Sequence, residues 1–359
     1  NGEGVTTMKT NSSAKLFEFL RKYTMIIALV VVFVLFAALT NVRLIYAQNL
    51  SNLMLQNGYV LVMACGMLLC ILTGGNIDLS IGSVICLVGG LAAVMISDMA
   101  VNPILTIAIC LIVGLLVGIW QGYWIGYVRI PPFITTLGGM FIFRGLGRLV
   151  LDNKTVAIQD STFLNIFTAY INIPGLDDGE TVVSALIVGV VAAVYIILNT
   201  VKNRRDRAKN GYRQNSAAAD YLKAIIIAAL ILAYCYMLSQ YRGISVMLVW
   251  VVAICLIYNF ITAKTAFGRY FYAVGGNEKA TKLSGINTNK IYFIAYANMG
   301  LLAGLCGLLN AARVGSVNGN TGTSFEMDAI GACFIGGASA YGGSGTIGGV
   351  VIGALLLGV

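Results

Sequence analysis

Apolar runs long enough to cross a lipid bilayer recur from one end of this 359-residue chain to the other, and few charges interrupt them. A helix needs about 20 apolar residues to span the hydrocarbon core. In lipid each backbone N–H and C=O must be satisfied within the segment, so such runs become helices. They fall at Tyr23–Thr40, Gln56–Gly74, Ile81–Ile96, Pro103–Val128, Phe133–Leu151, Val182–Asn199, Tyr221–Leu238, Ile244–Ile261 and Ile291–Ala312. A glycine-dense stretch from Ala329 to Val359 supplies a last crossing or a broken helix. The fold class that follows is all-α: a polytopic transmembrane helical bundle of about ten spans with glycine-rich broken segments. Only 10% of the residues are charged, against about 25% in a soluble domain. The two soluble domains that the length alone would allow are therefore set aside.

The net charge of +9 would suggest nucleic acid in a soluble protein. Here Lys and Arg sit in short connections between apolar runs, which reads as the positive-inside bias of a protein whose surroundings are lipid. Segment 1–22 carries Lys9, Lys15, Arg21 and Lys22; connection 200–220 carries Lys202, Arg204, Arg205, Arg207, Lys209 and Arg213, with Lys223 close behind; connection 263–290 carries Lys264, Arg269, Lys279, Lys282 and Lys290. An even number of crossings separates these three, which places them and the N-terminus on the cytoplasmic side. Connection 152–181, with Asp152, Asp160, Asp177, Asp178 and Glu180 against Lys154, falls outside. Residues 23–359 form one transmembrane domain. No small-residue cleavage site follows the first run, so it is read as an uncleaved helix. Met8 is the expected native start, and the stop inside an apolar run at Val359 leads us to expect a C-terminal continuation.

Several chemistries are excluded. There is no His, and the eight Cys all lie inside apolar runs without a CxxC pair, as small buried core residues rather than disulfides or metal ligands. No clustered carboxylates suggest a catalytic site, and no metal is expected. The chain has no G-x-x-x-x-G-K-[ST] loop, so it is not expected to hydrolyse ATP or to hold a cofactor.

Gly114, Gly118, Gly122 and Gly126 share one helix face, the arrangement that lets a second backbone come close. Tight packing is the preferred reading, with a pore lining as the alternative. Arg144 and Arg148 share a face near the outer end of the fifth run, to snorkel or to pair with an outer acid; gating or docking is the alternative. Pro131-Pro132 sets the entry angle of that run.

In the connection after the eighth run, Asn277 suits an N-cap, Glu278 a helix start and Gly285 the left-handed position after a helix end. A helix of about two turns fits between them. Ala280, Leu283 and Ser284 share a face, with Lys279 and Lys282 at its rim. Such a helix, held outside the membrane, needs somewhere to dock. Two further segments interrupt the apolar pattern, Thr73–Gly82 and Gly322–Gly343. Broken backbone at membrane depth survives where it is buried in protein or lines a wet cavity. For Asp78, Ser80, Glu326 and Asp328, helix capping competes with substrate contact.

Taken together, GGNIDLSIGS, IPPFITTLGGMFIFRGL, FGRYFYAVGGNEKATKLSGI and EMDAIGACFIGGASAYGGSGTIGG resemble, in order and spacing over Leu50 to Val359, the permeases of bacterial binding-protein-dependent monosaccharide importers, the ribose, galactoside and xylose group. The basic stretch after the sixth run is most similar to the xylose and multiple-sugar branch. Thr281 stands where a second Ala is usual, Met327 for Leu and Ala338 for Thr. The resemblance implies a homodimer in the bacterial inner membrane, a cytoplasmic ATP-binding subunit that carries ATP and Mg, an extracytoplasmic sugar-binding protein and a monosaccharide cargo. It implies that Gly275, Gly276, Asn277, Glu278, Ala280, Thr281, Leu283, Ser284, Gly285 and Ile286 form the ATPase-coupling helix. The candidates for the sugar path are Asn76, Asp78, Ser80, Phe133, Thr135, Thr136, Glu326 and Asp328. The competing function is a secondary transporter or channel driven by an ion gradient. Such a protein places ionisable residues at mid-membrane, and the centres of the runs hold almost none.

Overall fold

Charge-free runs have become helices, as lipid demands. The structure, a computed structural model, describes residues 12–177, 181–211 and 216–359, with the side chains of 12–23 left aside. Lys9, Asp178, Glu180 and Arg213, and the side chains of Lys15, Arg21 and Lys22, lie outside the described residues. The helices are α1 (Ser12–Leu39), α2 (Ala47–Leu72), α3 (Ile81–Ser97), α4 (Pro103–Gly126), α5 (Pro132–Val150), α6 (Ser161–Thr168), α7 (Val183–Lys209), α8 (Ala217–Ser239), α9 (Val246–Lys264), α10 (Ala266–Gly276), α11 (Glu278–Leu283), α12 (Thr288–Val314), α13 (Phe325–Ile335) and α14 (Ile347–Gly358). Two short strands, β1 (Val156–Ala157) and β2 (Ser316–Val317), pair antiparallel with Val156 opposite Val317.

Seven helices among the described residues are by themselves long and apolar enough to cross a membrane: α2, α4, α5, α7, α8, α9 and α12. Two further apolar helices, Ile81–Ser97 and Ile347–Gly358, are shorter, and Thr24–Leu39 is the apolar part of the 28-residue α1. At roughly 1.5 Å per residue α3 covers only about 25 Å, less than the ~30 Å core. The chain turns at Thr73–Gly75 and starts α3 only after the irregular segment 76–80.

α2 and α12 form the centre. Their most apolar windows are 78% and 72% buried, against 22–28% for the other full-length helices, as expected for helices apolar all round. α4 runs antiparallel to α12 along its glycine face. A Cβ on Gly114 would stand 2.7 Å from the Gly300 oxygen, on Gly118 2.5 Å from that of Tyr296, on Gly122 2.6 Å from that of Phe293 and on Gly126 2.7 Å from that of Asn289. Tight packing accounts for the stripe.

Three connections hold more structure than the sequence suggested. α7 continues through the basic stretch to Lys209, so connection 200–220 shrinks. Lys and Arg are good helix formers, and the helix stops only at Asn210-Gly211, where Gly211 takes φ 67°. α10 precedes the short helix foreseen in 263–290. Connection 152–181 carries β1 and α6, the latter capped by Asp160 Oδ1 accepting from the Phe163 N–H at 2.8 Å.

Both ends of the bundle are defined by contacts. At one end lie the start of α9, the end of α8 and the start of α7, joined by the Val182 N–H donating to the Ser239 oxygen at 2.9 Å. The ends of α2 and α4 and the start of α12 lie at the other, against α10 and α11. α7 and α8 run antiparallel, so their connection points toward the α10–α11 end, as does the basic stretch Lys202–Lys209.

Candidate functional site

The protruding element is built on α10. Thr265 Oγ1 accepts from the Gly268 N–H at 2.9 Å and starts the helix. Phe271 and Val274 bury its apolar face. The Tyr272 hydroxyl donates to the Gly345 oxygen at 2.9 Å. At Asn277 the backbone turns extended (φ −161°, ψ 99°), and its Oδ1 accepts from the Ala280 N–H at 3.0 Å to open α11. Gly285 takes φ 82° and closes it. Thr281, at the position where Ala is usual, is buried. Its hydroxyl lies 2.8 Å from both the Ala273 and Asn277 oxygens, tying α11 back to α10. Ala280, Ser284, Lys279 and Lys282 face outward, and Leu283 is 90% exposed. Ile286 is half-buried against the core.

Glu278 faces inward to a residue that sequence reasoning missed. Its Oε1 lies 2.7 Å from Arg129 Nη2, and its Oε2 accepts from the Tyr292 hydroxyl at 3.1 Å. Burial pushes the Glu278 carboxyl up, but hydrogen bonds from Arg129, Thr288 and Tyr292 and the charge of Arg129 outweigh it and hold it below the usual glutamate value.

Directly behind α10, two glycine-broken segments meet. A Cβ on Gly275 would stand 1.9 Å from the Leu72 oxygen and 2.4 Å from the Gly343 nitrogen. The Gly343 N–H donates to that same Leu72 oxygen at 3.1 Å. Gly75, at φ 75°, leaves only 1.8 Å between a Cβ and the Ala340 oxygen. The end of α10, the end of α2 and the loop between α13 and α14 thus touch backbone to backbone. In the same loop Tyr341 is 89% exposed.

The candidates for the sugar path fall in three places. Asn76 Nδ2 donates to Thr73 Oγ1 at 3.2 Å within the turn. Asp78 and Ser80 are buried; Asp78 Oδ1 accepts from the Ser80 N–H at 2.8 Å and its hydroxyl at 2.7 Å, just before α3 begins. Ser80 Oγ in turn accepts from Gln121 Nε2 at 2.6 Å. Gln121 is the second residue missed, and its signal was available as the lone amide in the apolar run of α4. At the start of α5, Thr135 and Thr136 spend their hydroxyls on the Pro131 and Pro132 oxygens at 3.4 and 2.9 Å, while Phe133 is 55% exposed. At the start of α13, the buried Glu326 carboxylate rests against Gly82, and Asp328 accepts from the Tyr59 hydroxyl at 3.4 Å.

Arg144 and Arg148 hold the loop ahead of α13 in place of an outer acid. Arg144 donates to the Thr321 and Gly319 oxygens, and Arg148 Nε donates to the Gly319 oxygen at 3.4 Å. A guanidinium can satisfy the several carbonyls that a glycine-rich turn leaves open, and no acid pairs with either Arg among the described residues. Among the described residues no group of three potential metal ligands occurs.

The family described as branched-chain amino acid transport system / permease component matches residues 49–359. The xylose transport system permease protein of Haemophilus influenzae is 36% identical over 344 residues, covering 94% of this chain and 88% of that protein. Its counterpart in Escherichia coli K12 is 32% identical over 338 residues, 94% of this chain and 84% of its own length. The ribose import permease protein of Escherichia coli K12 is 32% identical over 355 residues, 98% and 89% of the two chains. No solved structure matches the chain.

Proposed function

This chain belongs to the family of transport-system permease components that its residues 49–359 match, and on that premise we propose that it is the membrane-spanning subunit of an ATP-driven sugar importer. The proposed cargo is a monosaccharide. Xylose comes first, because two of the relatives are named for it, and another pentose or a hexose follows. The working unit is a homodimer, served by a cytoplasmic ATP-binding subunit that carries ATP and Mg and by an extracytoplasmic sugar-binding protein. This chain is not itself a catalyst. The face that carries α11 and the α7–α8 connection is the cytoplasmic one, with the N-terminus on the same side of a bacterial inner membrane. The basic residues that crowd that face support this orientation.

One observation carries the reading. α11 is a short helix fixed from behind by Thr281 and Glu278 while Leu283, 90% exposed, points away from the bundle with Ala280 and Ser284. An apolar side chain presented this way on a rigid mount suits a partner surface. ATP binding by the partner draws the two α11 helices together and biases a two-state bundle. The backbone contacts of Gly275 and Gly343 with Leu72 carry that movement to the broken segments.

Uptake into proteoliposomes tests the reading. Sugar should accumulate only with ATP, the partner ATPase and the binding protein. The buried Asp78 and Glu326 are residues an ion-driven carrier would use. Uptake driven by a proton or sodium gradient without ATP would establish that second reading in place of the first.

A further inference from the structure

The antiparallel pair α7–α8 carries a cleft that the transport reading does not use. It encloses ≈ 220 Å³ toward the helices' connecting end. That is smaller than the ~300–1,000 Å³ of pockets that swallow a whole small ligand. Thr200, Asn203, Arg207 and Lys223 line its polar part, Ile196 and Ile227 its apolar part, and the Arg204–Asp220 ion pair stands between the two helices. Arg204 also lies over the Tyr221 ring, 5.6 Å from its centroid. With three cations against one carboxylate, the cleft carries an excess of positive charge.

Its depth is set by the sequence. From Val183 to Val201 α7 has no charged residue, and Lys202, Arg204, Arg205, Arg207 and Lys209 follow at once. α8 mirrors this, with Asp220 and Lys223 ahead of a charge-free run from Ala224 to Ser239. The cleft therefore sits where hydrocarbon gives way to headgroups. On the hydrocarbon side of the cleft, Ile227 and Leu230 of α8 are exposed, a surface an acyl chain can cover. A cationic cleft with Ile196 and Ile227 on its hydrocarbon side fits one amphiphile with an anionic head.

We propose that this cleft binds the phosphate of an anionic phospholipid, with Arg207 and Lys223 on the headgroup and the acyl chain running past Ile196 and Ile227. The inference holds whichever face is cytoplasmic, and independently of the cargo. An aqueous phosphate would fill the polar part alone and leave the apolar part unused.

The full-length permease, purified in a neutral detergent, is titrated with micelles containing phosphatidylglycerol, with micelles containing phosphatidylcholine, or with inorganic phosphate, and its melting temperature is followed. Phosphatidylglycerol should raise the melting temperature and the other two should not. The double variant Arg207→Gln/Lys223→Gln should bind phosphatidylglycerol roughly 30-fold more weakly, each cation near the surface contributing about fivefold. Arg205→Gln/Lys209→Gln removes equal charge outside the cleft and should keep the response. Native mass spectrometry of the unmutated protein gives a second reading, in which phosphatidylglycerol remains bound at energies that strip phosphatidylcholine. Equal stabilisation by phosphatidylcholine or by inorganic phosphate, or equal loss in both double variants, would overturn the proposal.

Discussion

Arg129 Nη2 lies 2.7 Å from Glu278 Oε1, and this contact fastens the first residue of α11 to the connection between α4 and α5. Arg129 holds a left-handed backbone (φ 67°) two residues before Pro131, the cap residue of α5. Its guanidinium also donates to Thr288 Oγ1 at 3.0 Å and lies 4.9 Å from the Tyr292 ring centroid. The pair is partly exposed, 39% and 36%, so its worth to stability is about 0–1 kcal/mol. Its value is positional: on the proposed function, force on α11 would reach α5 through it. Arg129→Ala and Glu278→Gln should leave the melting temperature nearly unchanged and lower the sugar imported per ATP hydrolysed. The reversed pair Arg129→Glu/Glu278→Arg should recover part of it. An unchanged ratio in both single variants would remove Arg129 from the transmission path.

Acid should reproduce the effect of breaking this pair. The Glu278 carboxyl titrates below its ordinary value: burial raises it, and the hydrogen bonds and charge of its partners lower it by more. A depressed carboxylate contributes fully above its ordinary value and loses that contribution as pH falls through the depressed one. Coupling should therefore be flat through neutral pH and fall only on the acid side of the glutamate range. Glu278→Gln should lack that acid limb. An acid limb shared by the variant would assign it to another group.

Leu283 gives a prediction about the partner alone. Leu283→Glu and Ala280→Arg place charge on a surface the bundle does not touch, so the permease should fold and melt as before. Desolvated anchor positions cost about 2 kcal/mol or more when lost, which is roughly 30-fold in affinity for the ATP-binding subunit. Pull-down with that subunit reads this directly, and wild-type association by both variants would move the docking surface elsewhere.

The roles left open for Asp78 can be separated by one conservative change. Asp78→Asn keeps Oδ1 as the acceptor for the Ser80 N–H and hydroxyl, whereas Asp78→Ala leaves those buried donors without it. Capping predicts that Ala costs about 1–3 kcal/mol of stability while Asn costs little and transports normally. Loss of uptake in a stable Asp78→Asn protein would instead put the carboxylate on the sugar path.

What was legible in the sequence followed its physics. Apolar runs gave the helices because lipid leaves the backbone no other choice, and Asn277, Glu278 and Gly285 gave α11 because caps are local chemistry. Arg129 was hidden because its partner lies 149 positions away and no local pattern marks the pairing. The hold of Arg144 and Arg148 on Gly319 and Thr321 was hidden because their partners there are backbone carbonyls, which are present at every residue. α10 reads as connection because its two closing glycines look like loop, whereas the first of them, Gly275, is needed for close contact with Leu72 and Gly343.

That contact makes the last prediction a comparison of neighbours. A methyl on Gly275 would meet the Leu72 oxygen at 1.9 Å and the Gly343 nitrogen at 2.4 Å, both backbone atoms that cannot swing aside. A methyl on Gly276 would meet nothing within 4 Å, and Gly276 does not need a left-handed backbone. Gly275→Ala should therefore cost about 1–3 kcal/mol through overpacking, read as a lower melting temperature in detergent. Gly276→Ala should be neutral or slightly stabilising, since alanine favours the helix over glycine by about 1 kcal/mol. If α10 moves as a unit with the α13–α14 loop, a Gly275→Ala protein held at a temperature where it stays folded should also import less sugar per ATP. Equal melting temperatures for the two variants would mean that α10 stands clear of Leu72 and that its movement does not reach the broken segments by this route.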